Sequence, residues 1–362
     1  MKKVTLFIAS LTSGGAEHQI AFLSDFLAER GYDVSLVTYS EIGDHYYVNE
    51  KVKRVRLAEN KPIWMKLLFI FTFFIKLKTD CVISFGTRDN CFCLIPLLFR
   101  PKVKCVVSER CAFFGKMKWH QYLNYYFLYK RATRIVTNSY AQKKDIIKAY
   151  PKYEKKILTI TNYTDINLYH VVNCPSNDRI RIGIFCRYVP QKNCERFVKV
   201  VKILKQKVPA PFHIDWYGNK KTGDRENNYY THIENLLREY EICDVITLND
   251  HTKEVAKLIP TFDALCLPSL IEGFSNSISE YICSGKPVLC SDVADNGIMV
   301  KNGVNGFLFN PYDVNSMVDS FLRFFSLSEI ERTNMGKESR ALAEKLFNKD
   351  KFVQQYIDLI ES

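Results

Sequence analysis

Short apolar runs recur along almost the whole chain, each followed by residues with helical spacing. The series breaks once, at a polar, unperiodic segment over 162–178. Before the break the strand-like runs are 4–9, 34–38, 55–57, 81–85, 103–107, 134–137 and 157–160. Helical spacing fills the gaps, most clearly over 16–30 and over 140–150, where Ser139 stands at the cap position. A second series follows, with strands at 180–186, 212–217, 245–248, 262–267, 288–290 and 307–309, and closing helices over 328–347 and 351–360. The pattern predicts an α/β protein of two Rossmann-like units, each a doubly wound parallel sheet. The expected boundaries are 1–163, a linker at 164–178, a second unit at 179–346 and a last helix over 347–362 that returns to the first unit. A length of 362 residues suits two such cores better than one.

Composition narrows the setting. No apolar run approaches the roughly eighteen residues a membrane span needs. The opening Met-Lys-Lys-Val-Thr-Leu-Phe-Ile-Ala-Ser could pass for a signal peptide, but its apolar run is short. Ser13-Gly14-Gly15 then leads into an amphipathic helix, so the segment reads as a first buried strand. Twelve cysteines without a C-x-x-C pair, mostly inside apolar runs, argue against zinc or redox motifs and suit a reducing cytosol. Charge is lopsided: residues 1–173 hold 27 Lys and Arg against 14 Asp and Glu, and the remainder 24 against 25. An anionic partner is therefore expected for the first half only.

Three turns carry the chemistry. In residues 268–288, Glu272 falls at the carboxyl end of a strand and Glu280 on the following helix, with Gly273-Phe274-Ser275-Asn276 between them. Ligands collect at that edge of a parallel sheet, and free N–H groups at a helix start suit phosphate or sugar hydroxyls. Either Glu alone would be an ordinary solvated or capping residue; the spacing and turn together make them candidates. Arg187 and Lys192 follow the first strand of the second half, a rigid fork and a point charge around a proline-bearing turn. Gly14 and Gly15 follow the first strand of the chain and open its first helix, beside His18. The turn is not G-x-G-x-x-G, and the second strand ends in Thr38-Tyr39-Ser40 without a ribose-binding acid, which counts against a dinucleotide oxidoreductase.

The 268–288 stretch closely resembles the E-x7-E signature of retaining glycosyltransferases of family 4, whose fold is GT-B, two Rossmann-like domains facing across a cleft. Ser13-Gly14-Gly15-Ala16-Glu17 resembles that family's first glycine turn, and 185–193 its Arg-and-Lys block, although Cys186 replaces the usual glycine before Arg187. Asp215-Trp216-Tyr217-Gly218 resembles the strand-end glycine beside the nucleotide base. The resemblance implies a metal-independent transfer with retention, from a nucleoside-diphosphate sugar, expected to be a UDP-sugar; no Asp-x-Asp motif appears. It assigns Arg187 and Lys192 to the diphosphate, Glu272 to sugar hydroxyls and Glu280 to the ribose. Gly14, Gly15, Gly218, Gly273, Phe274, Ser275 and Asn276 complete the donor site. Where many relatives carry a His, this chain has Ser108-Glu109-Arg110, a variant familiar among capsule and O-antigen transferases. Glu109, Arg110 and His18 are the acceptor candidates, with Arg110 open to an acceptor phosphate or to the donor sugar.

Residues 62–78, 113–120 and 125–131 interleave lysines with aromatic and aliphatic side chains. Each could be a buried helix. In a basic half they also suit an anionic membrane surface, with Lys66, Lys76 and Lys78 at the rim. The expected acceptor is a polyprenyl-diphosphate-linked glycan, at the cytoplasmic face of the membrane, in bacterial surface polysaccharide assembly. Nucleic acid is the competing partner, but no nucleic-acid motif is present. A nucleotide-sugar epimerase and a non-catalytic nucleotide-sugar-binding protein are the alternative functions.

Overall fold

The computed structural model describes residues 1–12, 14–40, 43–57, 61–110, 117–171, 179–209, 211–220 and 223–362, with backbone only at 63 and 223–228. Ser13 of the glycine turn, 111–116 of the second aromatic segment and 172–178 of the expected linker lie outside them. The chain divides into two compact units, Met1–Tyr163 with Lys349–Ser362, and Thr164–Asn348.

The first unit holds seven strands: β1 (Lys3–Phe7), β2 (Asp33–Thr38), β3 (Lys53–Arg56), β4 (Cys81–Phe85), β5 (Lys104–Glu109), β6 (Arg134–Thr137) and β7 (Ile157–Thr159). They pair in parallel in the order β3-β2-β1-β4-β5-β6-β7. Central strands such as β4 are buried along their whole length because helices cover both faces. The C-terminal helix Lys349–Glu361 completes this unit, with Phe352, Val353, Tyr356, Leu359 and Ile360 in the core beside Leu23, Phe26 and Leu27.

The second unit holds β8 (Ile180–Phe185), β9 (Phe212–Tyr217), β10 (Ile246–Asn249), β11 (Ala264–Leu267), β12 (Val288–Ser291) and β13 (Gly306–Phe309). Its order is β10-β9-β8-β11-β12-β13, again parallel. The chain winds outward from β8 to one edge, then from β11 to the other, so the strand order reverses between β8 and β11. Crevices for ligands form at such reversal points, outside the carboxyl ends of the strands. Residues 165–171, read from sequence as linker, are built into this unit: the Arg340 guanidinium donates to the carbonyls of Tyr169 (2.8 Å) and Cys283 (2.7 Å).

The helix Ile63–Lys76 answers the question its composition left open, in both directions. Ile70 and Phe74 are core, whereas Trp64, Leu67, Leu68 and Phe69 are exposed. Phe71 meets Phe99, and Phe92 meets Trp119, so that exposed row continues past the helices Thr87–Leu97 and Trp119–Tyr126. Leu98, Phe99, Trp119, Tyr122, Tyr126 and Phe127 extend it.

Candidate active site

At the β8/β11 reversal point the chain leaves β8 through a turn pinned from below. Tyr188 is 1% exposed and its hydroxyl donates to the carbonyls of Trp216 (2.5 Å) and Asn249 (2.7 Å). Asn193, in the left-handed conformation (φ 60°), ends the short turn Pro190–Lys192 and ties it to the Pro311 carbonyl at 2.9 Å. With Tyr188 and Val189 inside, Arg187 is left exposed and Lys192 turns toward β11. There the Leu270 N–H donates to the Gln191 carbonyl at 2.9 Å, joining the two strand-end loops. The result is an ion pair from two of the sequence candidates: Lys192 Nζ lies 2.5 Å from Glu272 Oε1, with side chains only 17% and 12% exposed. Burial alone would push the Lys192 ammonium down, but the Glu272 carboxylate carries it above the ordinary lysine value. The Arg187 charge is also felt at Lys192. Two cations and one carboxylate thus converge on one strand edge, a charge set suited to a diphosphate next to sugar hydroxyls.

Beyond Glu272, Ser275 caps the helix Asn276–Cys283 by accepting from Ile278 N. Phe274 turns inward against Phe347, so only its main chain is available to a ligand. Glu280 lies on the second turn of this helix; burial pushes its carboxyl up to about 7, against the opposing hydrogen bond from Tyr169. Gly218 has a packing reason of its own: a Cβ there would stand 2.6 Å from the Cys186 carbonyl oxygen and 2.8 Å from the Tyr188 ring. Cys186 fits without strain where a glycine was expected, its carbonyl accepting from Trp216 Nε1 at 3.0 Å.

The candidates of the first unit fare differently. Gly14 begins the helix Gly15–Glu29, and the Glu17 carboxylate folds back beside it, 2.2 Å from where a Gly14 Cβ would sit. That helix start already holds the chain's own carboxylate, and burial raises the Glu17 carboxyl. His18 stacks on Tyr46 at 4.6 Å and meets Phe22 in a tilted contact at 4.2 Å. Glu109 is not placed for an acceptor. It is 2% exposed, and takes hydrogen bonds from Tyr129 Oη, from Thr87 Oγ1 at 2.6 Å and from Asn90 Nδ2 at 3.2 Å. Arg110 is a clamp within this unit, donating to Asn162 Oδ1 (3.0 Å) and Tyr356 Oη (2.7 Å), with its guanidinium 3.9 Å from the Phe85 ring centre. Sequence reasoning missed Asp89, buried at the start of a helix and bonded by Tyr39 Oη, and it missed Tyr169. For Asp89 the available signal was its place three residues past the Gly86 break after β4; Tyr169 had none. Among the described residues no group of three His, Cys, Asp or Glu side chains is placed to hold a metal ion, and no helix is long and apolar enough to cross a membrane.

Burial pushes Asp89 up to about 6, and Glu109 and Glu280 up to about 7. In the folded chain these groups keep their protons at pH values where the unfolded chain has lost them. From about pH 4.5 to 7 the folded state binds more protons, so its stability falls as pH rises through that window. Thermal unfolding is expected to show a midpoint roughly 5 °C higher at pH 6 than at pH 8. Glu109→Gln should remove part of that difference; a pH-independent midpoint in the parent protein would contradict the assignment.

Comparison with known proteins agrees along the chain. A family model described as Glycosyltransferase Family 4 matches residues 13–168, and one described as Glycosyl transferases group 1 matches 170–342. An uncharacterized glycosyltransferase of Haemophilus influenzae is 23% identical over 369 residues, covering 98% of this chain and 99% of that one. The UDP-Gal:alpha-D-GlcNAc-diphosphoundecaprenol alpha-1,3-galactosyltransferase of Escherichia coli is 26% identical over 181 residues, or 48% of this chain and 44% of its own. The structure of HepE from Anabaena in complex with UDP and glucose superposes with a TM-score of 0.82 at 16% identity, over 100% of both chains. Two parallel-sheet units with this likeness define a GT-B fold. The chain belongs to the glycosyltransferases of the family 4 type.

Proposed function

We propose that this glycosyltransferase moves a sugar from a UDP-sugar to a hydroxyl of a polyprenyl-diphosphate-linked glycan, with retention of anomeric configuration and without a metal. The observation that carries the reading is the Lys192–Glu272 pair beside Arg187 at the β8/β11 reversal point. In the transfer, the bond from the anomeric carbon to the diphosphate oxygen breaks and its electron pair leaves with the nucleotide. The acceptor oxygen bonds to that carbon, and its proton passes to the departing phosphate or to solvent. Arg187 and Lys192 stabilise the negative charge that grows on the leaving group, the task for which preset cations are most effective. Glu272 accepts hydrogen bonds from sugar hydroxyls and faces the positive charge developing on the ring. Glu280 accepts from the ribose hydroxyls, and the main-chain N–H groups of 273–276 add donors for the phosphate. The uridine donor draws support from the ligands bound to HepE, and the lipid-linked acceptor from the activity of the Escherichia coli relative.

The exposed aromatic row of the first unit is read as the face that meets the membrane. Trp, Tyr and Phe alongside lysines suit the level of lipid headgroups, and each lysine near an anionic surface contributes about 1 kcal/mol. Changing Lys66, Lys76 and Lys78 to Glu is expected to cut binding to phosphatidylglycerol-containing vesicles at least tenfold; equal cosedimentation would refute that face.

A screen of nucleotide sugars, with and without lipid-linked oligosaccharide acceptors, tests the function as a whole. Acceptor-dependent release of UDP with an axial anomeric product from an axial donor is expected. Turnover of the sugar nucleotide to its epimer without acceptor, or binding without turnover, would replace the proposal.

A further inference from the structure

Residues 165–171 lie against the helix that carries Glu280, held there through Arg340 and through Val171 at Gly285. Asp165 Oδ1 accepts from Asn167 N at 3.0 Å and starts the single turn Ile166–Leu168. Arg340 then grips the Tyr169 carbonyl and the Cys283 carbonyl at the end of the helix together. Val171 packs on Gly285 (φ +65°), where any Cβ would come within 2.9 Å of Val171 Cγ2. Between these anchors the Tyr169 phenol hydrogen-bonds to the Glu280 carboxylate. Ile166 and Tyr169 pack against the same core as Tyr281, Ile282 and Cys283, so the phenol is held from behind.

We infer that Tyr169 is a positioning residue for Glu280: its phenol occupies one acceptor direction of the carboxylate and aims the others at a nucleotide's ribose hydroxyls. The inference rests on the reading of Glu280 as the ribose contact and adds what holds it. An ionised carboxylate has two oxygens and about four acceptor directions, so one phenol leaves room for two vicinal hydroxyls. Fixing the acceptor before the ligand arrives removes the rotamer entropy that a free Glu would lose on binding. The phenol also favours the ionised form, the better acceptor, against the burial that disfavours it. The other titratable groups packed about Glu280 are Tyr281 and the Cys283 thiol, both neutral at pH 7 because burial raises them. Asp165 and Arg340 stand at the ends of the crossing segment.

The test is calorimetric binding of UDP, with GDP as a second probe carrying the same ribose, from pH 5.5 to 8.5. Tyr169→Phe is expected to weaken both nucleotides about fivefold at pH 7, the worth of one hydrogen bond. It should also move the acid limb of binding up by roughly one pH unit, because Glu280 then keeps its proton longer. In a Glu280→Gln background no carboxyl titrates there, and Tyr169→Phe should leave the pH dependence unchanged. If Glu280→Gln weakens binding while Tyr169→Phe neither weakens it nor shifts the limb, the inference fails and the ribose reading survives. A shift that persists in the Glu280→Gln background means Tyr169 acts on another group, which also overturns it. If Glu280→Gln binds both nucleotides as the parent does, the ribose reading falls and the inference with it.

Discussion

Lys192→Ala is expected to lower kcat/KM for the sugar-nucleotide donor by about 100- to 1000-fold, the usual effect of removing one preset charge partner of a developing anion. The pair it belongs to is mostly buried, with Nζ 2.5 Å from Glu272 Oε1, so two effects must be separated. Deleting the ammonium removes a cation from the leaving group, and it also leaves the Glu272 carboxylate without its partner in a site poor in water. The second effect alone destabilises, since half of a buried pair costs more than the pair contributes. Glu272→Gln removes the stranded charge. The double variant Lys192→Ala/Glu272→Gln should therefore regain thermal stability relative to Lys192→Ala while remaining inactive. If activity returned with stability, the pair would be a structural bridge only. Glu272→Gln by itself should bind UDP within a few-fold of the parent, because its assigned partner is the sugar, and should lose transfer.

The second large effect concerns folding. A chain ending at Asn348 lacks the helix Lys349–Glu361, which places Phe352, Val353, Tyr356, Leu359 and Ile360 in the core of the first unit. Each large apolar side chain contributes about 1.5–3 kcal/mol on burial. Five of them amount to on the order of 10 kcal/mol, comparable to the whole stability of a domain. Truncation also removes Tyr356, the partner of Arg110, and leaves that guanidinium with one acceptor fewer. The surface pairs along the same helix, Lys349 with Glu29 and Lys2 with Glu361, add little beside this. The expected result is a truncated protein recovered as aggregate, or with a protease-sensitive first unit beside an intact second one. A truncated chain that unfolds at the parent temperature would show that the packing contributes far less than its burial implies.

Much of this was legible because parallel strands buried on both faces read as continuous apolar runs. Val82, Ile83 and Phe85 of β4 and Leu265, Cys266 and Leu267 of β11 could hardly be anything else. Lys192 and Glu272 were each legible through turn chemistry, on the loops that follow two strands, but their pairing depends on β8 adjoining β11, which the strand runs alone do not give. What escaped were contacts that sequence spacing does not encode. Glu109 was an acceptor candidate from its motif, yet Thr87 and Asn90 of one helix and Tyr129 of another segment close over it. Arg110 was an acceptor candidate, and its partner Tyr356 stands 246 residues away. Tyr169 lay hidden because the polar, unperiodic stretch around it resembled a tether; Arg340, also remote in sequence, binds it to the Glu280 helix. The Ile63–Lys76 helix was ambiguous for a different reason: it is apolar on both sides, and only packing shows which side is core.

The central claim is that the loops after β8 and β11 together form the donor site. Hydrogen–deuterium exchange of the whole protein with and without UDP tests it most directly, because backbone amides report each loop separately. Slowed exchange in peptides covering 186–193 and 268–280, lost in Lys192→Ala, is the outcome expected. Saturating UDP that leaves both peptides exchanging as in the free protein, while protecting some other segment, would contradict it.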